Sequence, residues 1–239
     1  MSLAVRLYRL LQPVLGQPLR EAAHAARRTF TGDTSQLGEA LAARGQVKPD
    51  WPEWVVEVGA NDGITNSNSR LFVKNGWNAL LIEPNPPVFA KLQKAIAPYP
   101  KAKAIQMACT PEPGKVTLKV YDNDPTGQLS KIGGDDDVRS VHEHDLEKTV
   151  DVQADTLTAI LEKNGVPEDF SLLSIDTEGL DLQILRTIDL GRFRPRLVII
   201  ETDEDAAVEE PKRELLKAAG YEIFDEVGVN SLWRIAAAA

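Results

Sequence analysis

Four apolar runs in this chain each stop on a carboxylate: WVVE at Glu57, ALLIE at Glu83, SLLSID at Asp176 and LVIIE at Glu201. Anions gathered at one partly buried place are costly unless each meets a cation or hydrogen-bond donors. A ligand that carries positive charge and hydroxyl groups answers that need. The first run continues as EVGANDG, which sets Glu57, Gly59, Asp62 and Gly63 around one turn. Glycines permit a tight turn and a close backbone approach that a Cβ would obstruct. A dinucleotide fingerprint would need glycines where this chain has Asn61 and Ile64, and Asp62 would face a pyrophosphate with the wrong sign. No Gly-Lys-Ser/Thr follows a strand, so a P-loop is excluded as well.

These acids need elements to bring them together. From Trp54 onward, apolar strands alternate with helical stretches, the pattern of a largely parallel sheet covered on both faces. Strands are expected near 54–58, 79–83, 103–108, 171–176 and 197–202, and helices near 67–75, 86–97, 155–163, 179–188 and 209–219. Gly76 and Gly220 serve as helix stops. YEIFDEVGVNSLWRI reads as two strands joined through Gly228 to Asn230, an antiparallel pair closing the sheet. GKVTLKVYDND is one further strand, and 122–150 reads as an irregular polar insertion. In an open sheet of this kind the ligand lies outside the carboxyl ends of the strands, where all four acids fall. S-adenosylmethionine suits that edge: it has a sulfonium, an ammonium and a ribose diol, and it lacks phosphate. Glu83, at the next strand end, is the expected bidentate acceptor for the diol, with Glu57 and Asp62 toward the cationic methionine end.

The composition agrees. The chain has 239 residues, 43% hydrophobic and 26% charged, enough for a full core. Its net charge of -9 argues against nucleic acid as the main partner. One cysteine, Cys109, precludes an internal disulfide, and three histidines leave little for a zinc site. A reducing, cytoplasmic setting is expected. No apolar run is long enough for a membrane span, and Arg6 and Arg9 interrupt the one N-terminal stretch resembling a signal peptide. Residues 1–50 read as a helical extension preceding a catalytic domain at 51–235. Its first 30 residues hold Arg6, Arg9, Arg20, Arg27 and Arg28 against Glu21, a net +4. Leu3, Leu7, Leu10, Leu11 and Val14 recur at helical spacing, an amphipathic helix that Pro13 limits or kinks, and a second helix is expected about Leu19 to Arg28. A packing arm or lid is the favoured role, a membrane-surface helix the alternative.

VEVGANDGITNSNSRLFVKNGWNALLIEPNP, followed by LLSIDTEGLDLQILRTI and RPRLVIIE, resembles the FkbM-type methyltransferases, a branch of the class I S-adenosylmethionine-dependent enzymes. The resemblance runs from about Trp54 to Arg234 and is carried by Gly59–Gly63, Glu83–Pro86 and Ile175–Leu185. It implies a Rossmann-like α/β sheet of seven strands with the last antiparallel. It also implies O-methylation of a hydroxyl on a sugar or secondary metabolite. The cofactor set it implies adds Ala60, Asn61, Pro84 and the adenine-bordering Gln106, Met107 and Ala108 to the acids and glycines above. Most members carry Glu where this chain has Asp181, and lysine is common at Ser174.

An alcohol acceptor needs a base, and a positioned one contributes about 10²–10⁴-fold. Asp176 is the first candidate, followed by Glu178 in the next helical turn and His142 and His144 in the insertion. No metal ligand set is assigned. Asp135 to Asp137 read as a solvated run, and magnesium at Glu201 and Asp203 is the minor alternative. A small-molecule or glycan acceptor is the expected partner, and a homo-oligomer is left open. Two other classes compete: a nicotinamide-dependent oxidoreductase, disfavoured by the missing glycines, and a non-catalytic binding module on the same fold.

Overall fold

The structure, a computed structural model, describes residues 29–121, 131–132, 146–177, 179–203 and 205–237. The two N-terminal helices expected before residue 29, together with Glu178, His142, His144 and Asp135 to Asp137, lie outside the described residues.

The elements in chain order are α1 (Glu39–Arg44), β1 (Trp54–Val58), α2 (Arg70–Lys74), β2 (Asn78–Ile82), α3 (Pro86–Ile96) and β3 (Ala102–Ile105). There follow β4 (Ala108–Cys109), β5 (Gly114–Tyr121), β6 (Lys131–Ile132), β7 (Leu146–Asp155) and α4 (Leu157–Lys163). The chain closes with β8 (Leu172–Ile175), α5 (Asp181–Leu185), β9 (Leu197–Glu201), α6 (Ala206–Ala218), β10 (Tyr221–Val227) and β11 (Asn230–Ile235).

Seven strands form one sheet in the order β10-β11-β9-β8-β1-β2-β3. β1, β2, β3, β8 and β9 pair in parallel, while β11 runs antiparallel to both β9 and β10. The central strands are apolar on both faces because both faces are covered. Val55, Leu81, Leu172 and Ile199 pack with Ala40 and Ala43 of α1, Phe72 of α2 and Leu92 and Ile96 of α3. Val56, Leu80, Leu173 and Val198 pack on the other side with Ile160 of α4, Ile184 of α5 and Leu216 of α6. Local signals fix the helix starts. Pro86 opens α3 where its missing N–H costs nothing, and Thr156 caps α4 by accepting the Ala159 amide at 3.3 Å.

The insertion differs from the expectation. Residues 146–150 are not irregular: they belong to β7, a ten-residue strand that pairs antiparallel with β5 from Gly114↔Ala154 to Tyr121↔Leu146. With β4 and the short β6 it makes a second, four-stranded sheet, whose inner face holds Ala108, Leu118, Val120, Val152 and Ala154. The expected strand 103–108 is likewise two strands. β3 stops at Ile105, and β4 joins the second sheet after Gln106 and Met107. The second sheet therefore departs from the carboxyl end of β3, on the ligand side of the first.

The segment before β1 also reaches the core. Glu39, fully buried, accepts the Leu37 amide at 2.7 Å and Asn230 Nδ2 at 3.3 Å, clasping α1 to the β10–β11 hairpin. Glu39→Ala removes both bonds. Loss of hydrogen bonds to a buried carboxylate is expected to cost about 2–3 kcal/mol, read as a lower urea midpoint at unchanged slope. An unchanged midpoint would show that residues 29–50 do not stabilise the sheet.

Candidate functional site at the carboxyl edge

β2, β1, β8 and β9 are consecutive in the sheet, so the four strand-end acids lie side by side along one edge. Each is engaged differently. Glu57, 3% exposed, points into the α1–α3 side and is met by four donors. The hydroxyls of Ser67 and Ser69 donate to its Oε2 at 2.9 and 2.5 Å. The amides of Asn68 and Ser69 donate to Oε1 at 2.7 and 3.3 Å. Burial still pushes its pKa above the usual carboxylate range, against the pull of those hydroxyls and amides. These bonds hold Ser67 to Ser69 out of the helix, which is why α2 begins at Arg70 rather than near residue 67.

Asp62 folds back on its own turn, accepting the amides of Ile64 at 2.8 Å and Thr65 at 2.7 Å and the Thr65 hydroxyl at 2.9 Å. Glu83, 7% exposed, accepts two bonds among the described residues: from the Asn61 amide at 2.9 Å and the Asn85 amide at 2.8 Å. Burial outweighs them and raises its pKa to about 7. Pro84 beside it is half-buried. Asn61 stands at φ 48°, and its Oδ1 is buried with no partner among the described residues. Gln106 is exposed, Met107 half-buried and Ala108 fully buried at the start of the second sheet.

The turn carrying these groups depends on Gly59. Its amide and that of Ala60 both donate to the Ile82 carbonyl at 3.0 Å, fastening the turn to β2. Gly59 has φ 79°, and a Cβ there would lie 1.8 Å from the carbonyl oxygen of Asp176. The exits of β1 and β8 are thus in backbone contact. Gly63, at φ 71°, lies against α3, where a Cβ would meet Leu92 Cδ1 at 2.5 Å. Asp176 follows β8, is half-buried, and donates its amide to the Val58 carbonyl at 3.1 Å. Asp203, the acid considered with Glu201 for magnesium, is held by Lys212 Nζ at 2.7 Å. Among the described residues no group of three or more His, Cys, Asp and Glu side chains is arranged to hold a metal ion.

Sequence reasoning found the acids and glycines but missed the donors. Ser67, Asn68 and Ser69 were legible only as a polar run ahead of a helix, and Asn85 only as a residue of the EPNP segment.

A sheet of this order, with a glycine turn after β1 and an acid after the neighbouring β2, is the class I methyltransferase architecture. The model of the methyltransferase FkbM domain matches residues 57–223, and the chain belongs to that family. S-adenosylmethionine is its cofactor, and the site fits it. Glu83 keeps lone pairs for hydroxyl donors, Asn61 keeps a buried acceptor, and no lysine or arginine stands between Glu57 and Ser69 to attract phosphate. No curated protein is a significant sequence match to the chain. Among solved structures, it resembles a human methyltransferase 10 domain containing protein at 12% identity, over 92% of this chain and 95% of that one, with a TM-score of 0.48. It also resembles Aeropyrum pernix fibrillarin, solved with natively bound S-adenosyl-L-methionine, at 16% identity over 83% and 73% of the two chains, with a TM-score of 0.46. No helix among the described residues is long and apolar enough to cross a membrane.

The two glycines should respond differently to alanine. Gly63→Ala is expected to cost about 1–2 kcal/mol, the penalty for a left-handed residue with a Cβ, because the Leu92 side chain can rotate away. Gly59→Ala should lower the melting temperature further and abolish cofactor binding, since there a backbone carbonyl must move. Equal melting temperatures for the two variants would contradict the backbone contact.

Proposed function

We propose that the protein is an S-adenosylmethionine-dependent O-methyltransferase acting on a hydroxyl of a sugar or secondary metabolite. The observation that carries this reading is the contact of Gly59 with Asp176. It sets the backbone of Asp176, a half-buried residue, directly against the glycine turn.

In this reading Glu83 accepts the ribose hydroxyls. Gly59, Ala60, Asn61, Asp62 and Gly63 line the methionine side, with Glu57 acting through the Ser67–Ser69 segment that it holds. Pro84, Gln106, Met107 and Ala108 border the adenine. The cofactor supplies a methyl group already activated by its sulfonium, so the protein's task is to hold an acceptor oxygen in line and accept its proton. Asp176 is the base, with Glu178, His142 and His144 as further candidates. Its carboxylate would accept the hydroxyl proton as the new bond forms. The second sheet, leaving the edge after β3, is the acceptor-selecting element.

Incubation with methyl-tritiated S-adenosylmethionine and a metabolite extract should label an alkali-stable methyl ether. Label in a protein, a nucleic acid or a carbon-bound methyl group would exclude the O-methyl reading. Asp176→Asn should leave cofactor affinity within a few-fold and lower turnover by about 10²–10⁴. Retained turnover would remove Asp176 as the base.

Glu83 gives the binding a pH signature. Between its ordinary value of 4.5 and about 7 the folded, ligand-free protein keeps a proton that the unfolded chain has released. This group therefore favours folding at low pH, and that contribution is lost as pH rises through about 7. Ribose hydroxyls donate to the ionised form, so cofactor binding should release a proton and be about tenfold weaker at pH 6 than at pH 8. Calorimetry in two buffers of different ionisation enthalpy reads that proton. Glu83→Ala should lose about 1.5–3 kcal/mol of affinity and the proton release with it. Proton release that persists in the variant would assign it to another group.

A further inference from the structure

Asp181 opens α5 and is 2% exposed. Its Oδ1 reaches back over the preceding turn to accept the Thr177 amide at 3.0 Å and the Thr177 hydroxyl at 2.7 Å. The acceptor end of both bonds is buried, so they hold Thr177 against the start of α5. Thr177 is the neighbour of Asp176, and the same turn rests on Gly59: a Cβ on that glycine would lie 1.8 Å from Asp176 O and 3.5 Å from Thr177 Cγ2. Asp176 is thus fixed on its amino side by the Val58 carbonyl and on its carboxyl side by Asp181 acting through Thr177.

Burial raises the Asp181 pKa above the usual carboxylate range, and the Thr177 hydroxyl and a more distant cation only partly oppose it. Lys212, 1% exposed, favours its ionised form, but the ammonium spends its bonds on the Glu201 carbonyl at 2.5 Å, Asp203 Oδ2 at 2.7 Å and Glu209 Oε2 at 3.3 Å. Asp181 Oδ2 has no hydrogen-bond partner among the described residues. Both bonds that Asp181 makes therefore go to Thr177, and a short side chain at the first position of a helix suits that backward reach.

We propose that Asp181 is a positioning residue for Asp176: by holding the amide and hydroxyl of Thr177 it fixes the turn that presents the Asp176 carboxylate to the acceptor. The catalytic consequence rests on Asp176 being the base; the structural one does not.

The test uses the full chain and three variants. Asp181→Ala removes both bonds, Thr177→Val removes the hydroxyl bond, and Asp181→Asn keeps an acceptor oxygen for both. Hydrogen exchange at the Thr177 amide should quicken about tenfold or more in Asp181→Ala, the equivalent of one lost bond, and stay near wild type in Asp181→Asn. Carbon NMR should show the Asp176 carboxyl signal, assigned by its loss in Asp176→Asn, shifted in Asp181→Ala and Thr177→Val but not in Asp181→Asn. S-adenosylmethionine affinity should remain within a few-fold throughout. With labelled cofactor and the same extract, the rate of methyl transfer should fall about 10–100-fold in Asp181→Ala and recover in Asp181→Asn. If Asp181→Ala does not fold, Thr177→Val carries the comparison with a smaller effect in the same direction. Wild-type exchange at Thr177 and an unmoved Asp176 signal in the variants that fold would overturn the proposal. Full turnover in Asp176→Asn would instead overturn the reading of Asp176 as the base, leaving the positioning result intact.

Discussion

The buried carboxylate of Glu57 is the constraint around which this edge is organised. It sits on β1, an interior strand, where an ionised group without partners would cost several kcal/mol. The chain answers with four donors from three successive residues, Ser67, Asn68 and Ser69. That answer has structural consequences. The segment must leave β1, turn through the glycines and return to lie over the strand it came from, which delimits the glycine turn on both sides. The same segment meets the chain before β1, through the Ser35↔Asn66 bridge and the bond from the Thr34 hydroxyl to the Ser67 carbonyl at 3.5 Å. One acid thereby ties the glycine turn, the start of α2 and the approach to β1 into one unit.

The other edge acids divide the remaining work, and their environments keep them apart. Asp62 is spent on its own turn, and Asp181 on Thr177. Glu83 alone is buried with only two backbone donors, and that shortfall is what moves its pKa toward neutrality. An acceptor left under-compensated in the free protein gains most from a ligand that brings hydroxyl donors, since the cost of desolvating it has already been met during folding. Anions distributed in this way repel a phosphate but tolerate a sulfonium and a diol.

Much of this was legible in the sequence for identifiable reasons. The parallel strands declared themselves as apolar runs because both faces are covered. The terminal hairpin was marked by Gly228, and the row of acids along one edge by the ends of the apolar runs. What was not legible depended on contacts between distant segments. Nothing local distinguishes Ser67 to Ser69 as ligands of Glu57 from an ordinary helix start, so α2 was expected too early. β7 was missed although Val150, Val152 and Ala154 alternate with polar residues, because its first residues follow a polar stretch and its partner β5 lies some thirty residues earlier in sequence. The break between β3 and β4 has no sequence mark at all: AIQMAC is apolar throughout except at Gln106, and only pairing with β7 turns its end away from the first sheet.

Ser174 shows how a departure from the family pattern can be read physically. Its register partner on β1 is Glu57, so a side chain at this position lies beside the Glu57 carboxylate on the same face of the sheet. A lysine, common here among proteins that this sequence resembles, would bring a cation to that acid. This chain instead has a fully buried serine, whose hydroxyl accepts a bond from Asn68 Nδ2 at 3.1 Å. The acid and the missing cation are thus reconciled by neutral donors, with Asn68 bonded to both Glu57 through its amide and Ser174 through its side chain. Neutral donors offset a buried charge less completely than an ammonium does, consistent with the raised pKa of Glu57. The arrangement has a compensating property: it adds no positive charge next to the glycine turn, which suits a ligand that is itself cationic.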